Sequence, residues 1–395
     1  MKSQPERTAM IVRAFAEHFG DSPNAWCRAP GRVDLMGSHT DYNLGLVLTL
    51  PIDRDTLIAA QSRGDRTVRL YSINLGEEAG FDLERIERKA GRQWCNYVRG
   101  VADTLQTERF TLQGFDAVIH STVPIQSGLG SSAALECAAA TVFEALGSWR
   151  LDPVRKAQLC QRAENQFVGV NCGILDQYTS CVGQTGCALL LDCRDLTSRP
   201  VRLADGIQVV ICDTKFMREL ADSEYGQRRA QCEEGAQQLG VKALREISSK
   251  QFNARERELP PEVARRCRFI IEESERVVKL ADALTTFDRG QIRQLTAASF
   301  RGACELYEIG APAMHTMIDA ILAAPGSLGA RQAGAGFGGC MIAFVEKPLV
   351  AAFMESVTDR YFNRTGVRGE VYPVQAAAGA GVLSWEAIDN GQPTE

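Results

Sequence analysis

Apolar residues recur at helical spacing near the start of the chain. Met10, Ile11, Ala14, Phe15 and Phe19 fall on one face, and Gly20 ends the run. The pattern then changes to short apolar runs of strand length: AWCRAPG, GLVLTLPI, TLIAAQS and TVRLYS, with FTLQGFDAVIHSTV reading as a further strand pair. In PIQSGLGSSAALECAAATVFEAL a glycine–serine loop opens into a helix whose apolar residues occupy nearly every face, which predicts burial. DPVRKAQLCQRAENQFVG predicts a helix with Asp152 as N-cap, Pro153 in its first position and Gly169 at its end. GCALLLDC predicts a strand.

Near Pro200 a second series begins with VRLADGIQVVICDTK. SEYGQRRAQCEEGAQQLG, PEVARRCRFIIEESERVVKLADAL and MHTMIDAILAAPG predict three helices. GARQAGAGFGGCMIAFVEK is a glycine-rich turn leading into a strand. PLVAAFMESVTDRYFNRTG predicts a last helix and EVYPVQ a last strand. Strands and helices mixed in both halves predict an α+β fold, not a strictly alternating doubly wound sheet. A length of 395 residues suits two domains, read here as 1–200 and 201–395.

A net charge of −5 argues against a nucleic-acid partner, for which a basic balance is usual. No apolar run reaches the length of a membrane span, and the first twenty residues lack a signal peptide's apolar centre, so a cytoplasmic protein without a membrane partner is expected. Thirteen cysteines, an odd number set mostly in apolar runs, read as buried thiols of a reducing compartment. With no CxxC pair and four histidines, a zinc site is not expected.

Two glycine-rich stretches carry opposite meanings. GAGFGG (334–339) fits GxGxxG, with Glu355 near the spacing of a ribose-binding acid. That motif must open a helix, whereas here it runs into the strand CMIAFVEK, so a dinucleotide fold is disfavoured. PIQSGLGSSAALE does open a helix. Free N–H groups at Ser131, Ser132 and Ala133, together with the positive end of the helix, suit phosphate. The Ser132 hydroxyl could also reach Mg²⁺. No GxxxxGK[ST] occurs, which excludes a P-loop enzyme. A third stretch, GRVDLMGSHTDYN (31–43), crowds Arg32, Asp34, His39 and Asp41 into one polar segment.

These stretches resemble the galactokinase family of the GHMP kinase superfamily. APGRVDLMGSHTDYNLGLVL resembles its sugar-holding signature, PIQSGLGSSAALE its ATP-phosphate loop and GARQAGAGFGGC its third glycine motif. AENQFVGVNCGILDQYTSCVGQTGCALLLDCR is similar to the segment bearing its catalytic aspartate. LADSEYGQRRAQCEEGAQQLG is similar to the one bringing a tyrosine to the sugar. The resemblance runs from about Ala29 to Val345, in the family's order. It implies an N-terminal domain like ribosomal protein S5 domain 2, a ferredoxin-like C-terminal domain and an active site between them. It also implies ATP-dependent phosphorylation of a sugar at its anomeric hydroxyl, by a monomer or weak homodimer.

On this resemblance Asp176 is the catalytic aspartate, acting as base or as electrostatic positioner, and Arg32 its partner. Glu164 and Ser132 hold Mg²⁺, and Gly128, Leu129, Gly130, Ser131, Ser132 and Ala133 wrap the phosphates of ATP. Trp94 and Tyr97 resemble adenine-pocket aromatics, and core packing explains them equally well. His39, Asp41 and Tyr225 match sugar contacts, with His39 and Asp41 expected to face hydroxyls.

Three positions depart from the pattern. Ser38 replaces a glutamate that in galactokinases meets the sugar's 6-hydroxyl, Asp34 replaces an asparagine, and Arg218 stands where histidine is usual. All three are read as substrate-facing. Losing an anion while gaining a cation raises a sugar altered at C6, such as galacturonate or L-arabinose, beside galactose itself. A non-catalytic sugar and ATP sensor, or another GHMP kinase such as a mevalonate-type enzyme, are the other readings. The intact set Asp176, Arg32, Glu164 and Ser132 favours an enzyme, and HTDYN favours a sugar.

Overall fold

The structure is a computed structural model that describes residues 3–91, 93–125, 127–216 and 221–384. The apolar runs form two sheets. The first holds β1 (Ala25–Met36), β2 (Leu46–Ser62), β3 (Thr67–Ser72), β4 (Glu77–Asp82), β5 (Phe115–Ser121), β6 (Ala188–Asp192) and β7 (Thr197–Val201). The second holds β8 (Ile207–Asp213), β9 (Ser327–Gln332), β10 (Cys340–Glu346) and β11 (Glu370–Val374) in the order β11-β8-β10-β9, all antiparallel. The chain then returns, and β12 (Gly381–Val382) pairs with β1 of the first sheet, whose main path is β12-β1-β2-β5-β3-β4.

The helices are α1 (Gln4–Phe19), α2 (Cys95–Thr107), α3 (Ser131–Gly147), α4 (Pro153–Arg162), α5 (Leu175–Val182), α6 (Ala221–Gln238), α7 (Ser249–Arg255), α8 (Pro261–Thr286), α9 (Arg289–Glu305), α10 (Pro312–Leu322) and α11 (Val350–Thr365). The α+β reading therefore holds. The two sheets share a core: Val33, Leu48 and Leu50 of the first pack in one cluster with Val209, Ile342 and Phe344 of the second and Val277 of α8. No helix among the described residues is long and apolar enough to cross a membrane.

Several sequence expectations change. GLVLTLPI and TLIAAQS, read as separate strands, are the single strand β2. Pro51 is tolerated inside it because the β1–β2 register shifts between Pro30 and Arg32, and a bulge needs no ladder bond there. FTLQGFDAVIHSTV is one strand, not a pair. The carbonyls of Thr111 and Leu112 accept from Trp149 Nε1 and Arg66 Nη1 instead of from a neighbouring strand. Asp152 caps α4 through Val154 N and Arg155 N, as its position suggests. The expected single helix to Gly169 instead widens into a π-helical turn at Ala163–Val168, which carries Glu164. α2, α7 and α9 were not anticipated.

The expected buried helix after the phosphate loop is α3, with Ala133, Ala134, Cys137, Ala138 and Ala139 all without exposed surface. Charged residues within it have partners: Glu144 takes Lys156 at 2.5 Å and the Leu151 N–H at 2.6 Å.

Candidate active site

The site is assembled where β1, the turn after it, and the N-terminal ends of α3 and α5 meet. Gly130, in the left-handed region at φ 74°, is the N-cap of α3, so the helix begins at Ser131 as the sequence suggests. The preceding loop is pinned to β1. Arg32 N donates to Leu129 O at 2.9 Å, and Arg32 Nη1 donates to Gly128 O. Gly31 permits this, since a Cβ there would lie 2.8 Å from Leu129 O.

Arg32 reaches from this strand to Asp176 on the first turn of α5. Nε and Nη2 donate to Oδ1 at 2.8 and 2.6 Å, and Nη2 also donates to Oδ2 at 2.6 Å. The arginine side chain is 7 % exposed and the aspartate 26 %, so the pair is buried on one side and open on the other. Burial works against the arginine's charge, but Asp176 outweighs it and raises the Arg32 pKa. A Cβ on Gly130 would lie 3.3 Å from Arg32 Cγ and 3.6 Å from Asp176 Oδ2, so the phosphate loop, the cation and the carboxylate share one corner.

Asp41 enters the same corner on a 3-10 turn (Asp41–Asn43) after β1. Burial first, then the Asp176 charge, pushes its carboxyl up to about 6. The Asp41 carboxylate rests on Gly173, just before α5. Tyr225 of α6 completes this wall, with its ring 5.2 Å from His39 and 5.3 Å from Tyr42.

Behind α3 and α5 lies a buried acidic cluster. Glu164 is buried, and burial followed by the Asp176 charge raises its carboxyl to about 7. Hydrogen bonds from Cys172, Ser132 and Gln177 act the other way. Gln177 Nε2 donates to Glu164 Oε2 at 2.6 Å and to Glu136 Oε2 at 3.0 Å. Glu136 Oε1 and Gln177 Oε1 are buried acceptors with no partner. The cluster thus holds two buried acceptor oxygens without a partner beside two carboxyls whose pKa values burial raises.

Other sequence-derived residues are placed differently from expectation. His39 has both ring nitrogens engaged within the protein: Nε2 meets Ala335 O and Nδ1 meets Tyr42 OH, both at 2.9 Å. Ser38 and Asp34 are likewise engaged within the protein. Ser38 Oγ donates to Asp34 Oδ2 at 2.5 Å and accepts from Arg331 Nη2 at 2.9 Å, and both residues are almost without exposed surface. Arg218 lies outside the described residues. Trp94 packs against the N-terminal core and donates to Glu77 Oε2 at 3.1 Å, and half-buried Tyr97 follows on α2.

Sequence reasoning missed Gly173, Glu136, Gln177 and Arg331. Glu136 carried a readable signal, a carboxylate inside an otherwise apolar helix. Gly173 and Arg331 carried none, because their roles depend on residues more than a hundred positions away.

Known proteins resemble this chain along most of its length. Residues 13–62 match the galactokinase galactose-binding signature, and residues 96–184 match the GHMP kinases N terminal domain. The chain is 43 % identical over 377 residues to a galactokinase of Chloroflexus aggregans, covering 94 % of this chain and 96 % of that one. It is 39 % identical over 393 residues to a galactokinase of Roseiflexus sp., covering 98 % and 99 %. The crystal structure of Lactococcus lactis galactokinase complexed with galactose superposes with a TM-score of 0.90 at 33 % identity, over 95 % of this chain and 99 % of that one. With relatives this similar along nearly its whole length, the chain belongs to the galactokinase family.

Proposed function

We propose that this protein transfers the γ-phosphoryl group of ATP to the C1 hydroxyl of galactose. The observation that carries the reading is the Arg32–Asp176 pair, set against the N-terminus of α3 on one side and Asp41 on the other. The C1 oxygen attacks γ-phosphorus, the bond from γ-phosphorus to the β,γ-bridging oxygen breaks, and ADP leaves. Asp176 orients the hydroxyl and receives its proton as the new O–P bond forms. Arg32 holds that carboxylate from two directions and offsets charge on the transferring phosphoryl oxygens.

Backbone N–H groups of Ser131, Ser132 and Ala133 receive the phosphates, with Gly128, Leu129 and Gly130 forming the bend that lets them approach. Ser132 and Glu164 would hold Mg²⁺, which would offset negative charge on the nucleotide phosphates. Asp41 and Tyr225 contact the sugar hydroxyls, and Trp94, the N-cap of α2, and Tyr97 within it are the residues that would meet the adenine. The cytoplasm and a monomer or weak homodimer remain the assigned setting.

Ser38 favours galactose over a uronate. Its hydroxyl proton is directed at Asp34, and the neighbouring Arg331 donates to Ser38, Asp34, Glu273 and Ser299. A substrate carboxylate at this turn would meet the buried Asp34 carboxyl and a guanidinium already engaged. The test is a panel of galactose, galacturonate, L-arabinose and N-acetylgalactosamine at matched ATP. Galactose is expected to give the highest kcat/KM by at least tenfold, and a uronate or pentose ahead of it would overturn the proposal.

A further inference from the structure

We propose that Arg331 is a positioning residue for sugar binding, a guanidinium from the second sheet that clamps the Gly37–Asp41 turn of the first. The inference rests on the sugar-kinase reading above, since it assigns a task to the turn that reading makes sugar-binding.

Arg331 lies on β9 and has no exposed surface. Its donors are distributed across both halves of the molecule. Nε donates to Ser299 Oγ of α9 at 3.0 Å, and Nη2 to Glu273 Oε1 of α8 at 3.1 Å. In the other direction Nη1 donates to Asp34 O of β1 at 3.2 Å, and Nη2 to Ser38 Oγ at 2.9 Å. Asp34 Oδ1 stands 3.7 Å from Nη1. Glu273 extends the grip: Oε1 accepts from Gly37 N at 3.3 Å and from Ser299 Oγ at 2.7 Å, and Arg276 Nε closes on Oε2 at 2.8 Å. Two cations and two carboxylates therefore balance inside the interface, which is the condition for burying them.

The turn has reason to need a clamp. Gly37 is at φ 107°, and His39, which has a Cβ, is held at φ 67°. Such backbone persists only when its surroundings over-determine it. Arg331 fixes Ser38, Ala335 O fixes the His39 ring, and Asp41 follows two residues on. Without the guanidinium, Asp34 and Glu273 would face each other across a buried gap and the turn would shift. The phosphate loop is anchored separately, by Arg32 to Leu129 and Gly128. The clamp should thus govern sugar affinity and leave nucleotide affinity alone, a split that a general packing role would not produce.

The test uses the full-length protein with Ser38→Ala, Arg331→Lys and Arg331→Met. Galactose affinity is measured by calorimetry without nucleotide, and KM for galactose and for ATP by steady-state rates. Arg331→Met is expected to weaken galactose at least tenfold with KM for ATP within twofold of wild type. Arg331→Lys should fall between, and Ser38→Ala should lose threefold or more. Should Arg331→Met fail to fold, Ser38→Ala and Arg331→Lys decide by the same ratio. Galactose constants within twofold of wild type, or sugar and ATP constants rising together, would overturn the clamp. A wild-type protein that ignores galactose would sink the galactose assignment instead, and the clamp would be measured with the sugar it does phosphorylate.

Discussion

Gly173→Ala isolates the seat of Asp41. Gly173 is not among the residues with positive φ, so alanine adopts its backbone without strain, and the effect is confined to what the new methyl meets. That methyl would fall on Asp41 Oδ2 and lie 3.0 Å from Oδ1. Restoring ordinary van der Waals separation moves the carboxylate by about 2 Å, more than a hydrogen bond survives. Each hydrogen bond to a charged group contributes about 1.5–3 kcal/mol, so losing two from Asp41 to sugar hydroxyls removes about 3–6 kcal/mol. At about 1.4 kcal/mol per decade, kcat/KM for galactose should drop by roughly 10²–10⁴. Coupled-enzyme rates over a range of galactose and ATP give both constants, and thermal unfolding checks the fold. A variant within threefold of wild type for galactose would refute the seating of Asp41 as a sugar contact.

Asp41 is held with its carboxyl near 6 and Glu164 near 7, and both need to be ionised to serve. kcat/KM for galactose should therefore decline as pH falls through about 7 to 6, measurable from rates between pH 5 and 9; a flat profile down to pH 5 would count against both roles. The same raised pKa has an opposite effect on stability. The native state binds more protons between 3.8 and about 6, so the contribution of Asp41 is fully present at low pH and lost as pH rises through about 6. Asp41→Asn, neutral throughout, should raise the melting temperature of the ligand-free protein at pH 8, by an amount equivalent to at most about 3 kcal/mol, while abolishing galactose binding. A lower melting temperature would show that the buried carboxylate is not a liability.

The sequence was most legible where chemistry is local. The loop before Ser131, the helix it opens, and the cap at Asp152 follow from residues within a few positions of each other. The bond between Arg32 and Asp176 spans 144 positions, and only the family resemblance joined them in advance. Ser38 was the most misleading residue. Taken alone it reads as a lost anion facing the substrate. In the fold it bridges the Asp34 carboxyl and Arg331, 293 positions apart from the latter. The π-helical turn at Glu164 and the single long β2 were hidden for a different reason. Periodicity marks which face is buried but not how tightly a turn is wound, nor whether a proline sits at a bulge.

The most direct test of the proposed chemistry is single-turnover phosphoryl transfer by Asp176→Asn, with galactose affinity measured on the same protein. The amide keeps the shape and can still meet Arg32, but it cannot take the hydroxyl proton. Galactose affinity within about threefold of wild type, with transfer slowed by about 10²–10⁴, is the expected result. Transfer within tenfold of wild type would contradict the assignment of Asp176 to the reacting hydroxyl.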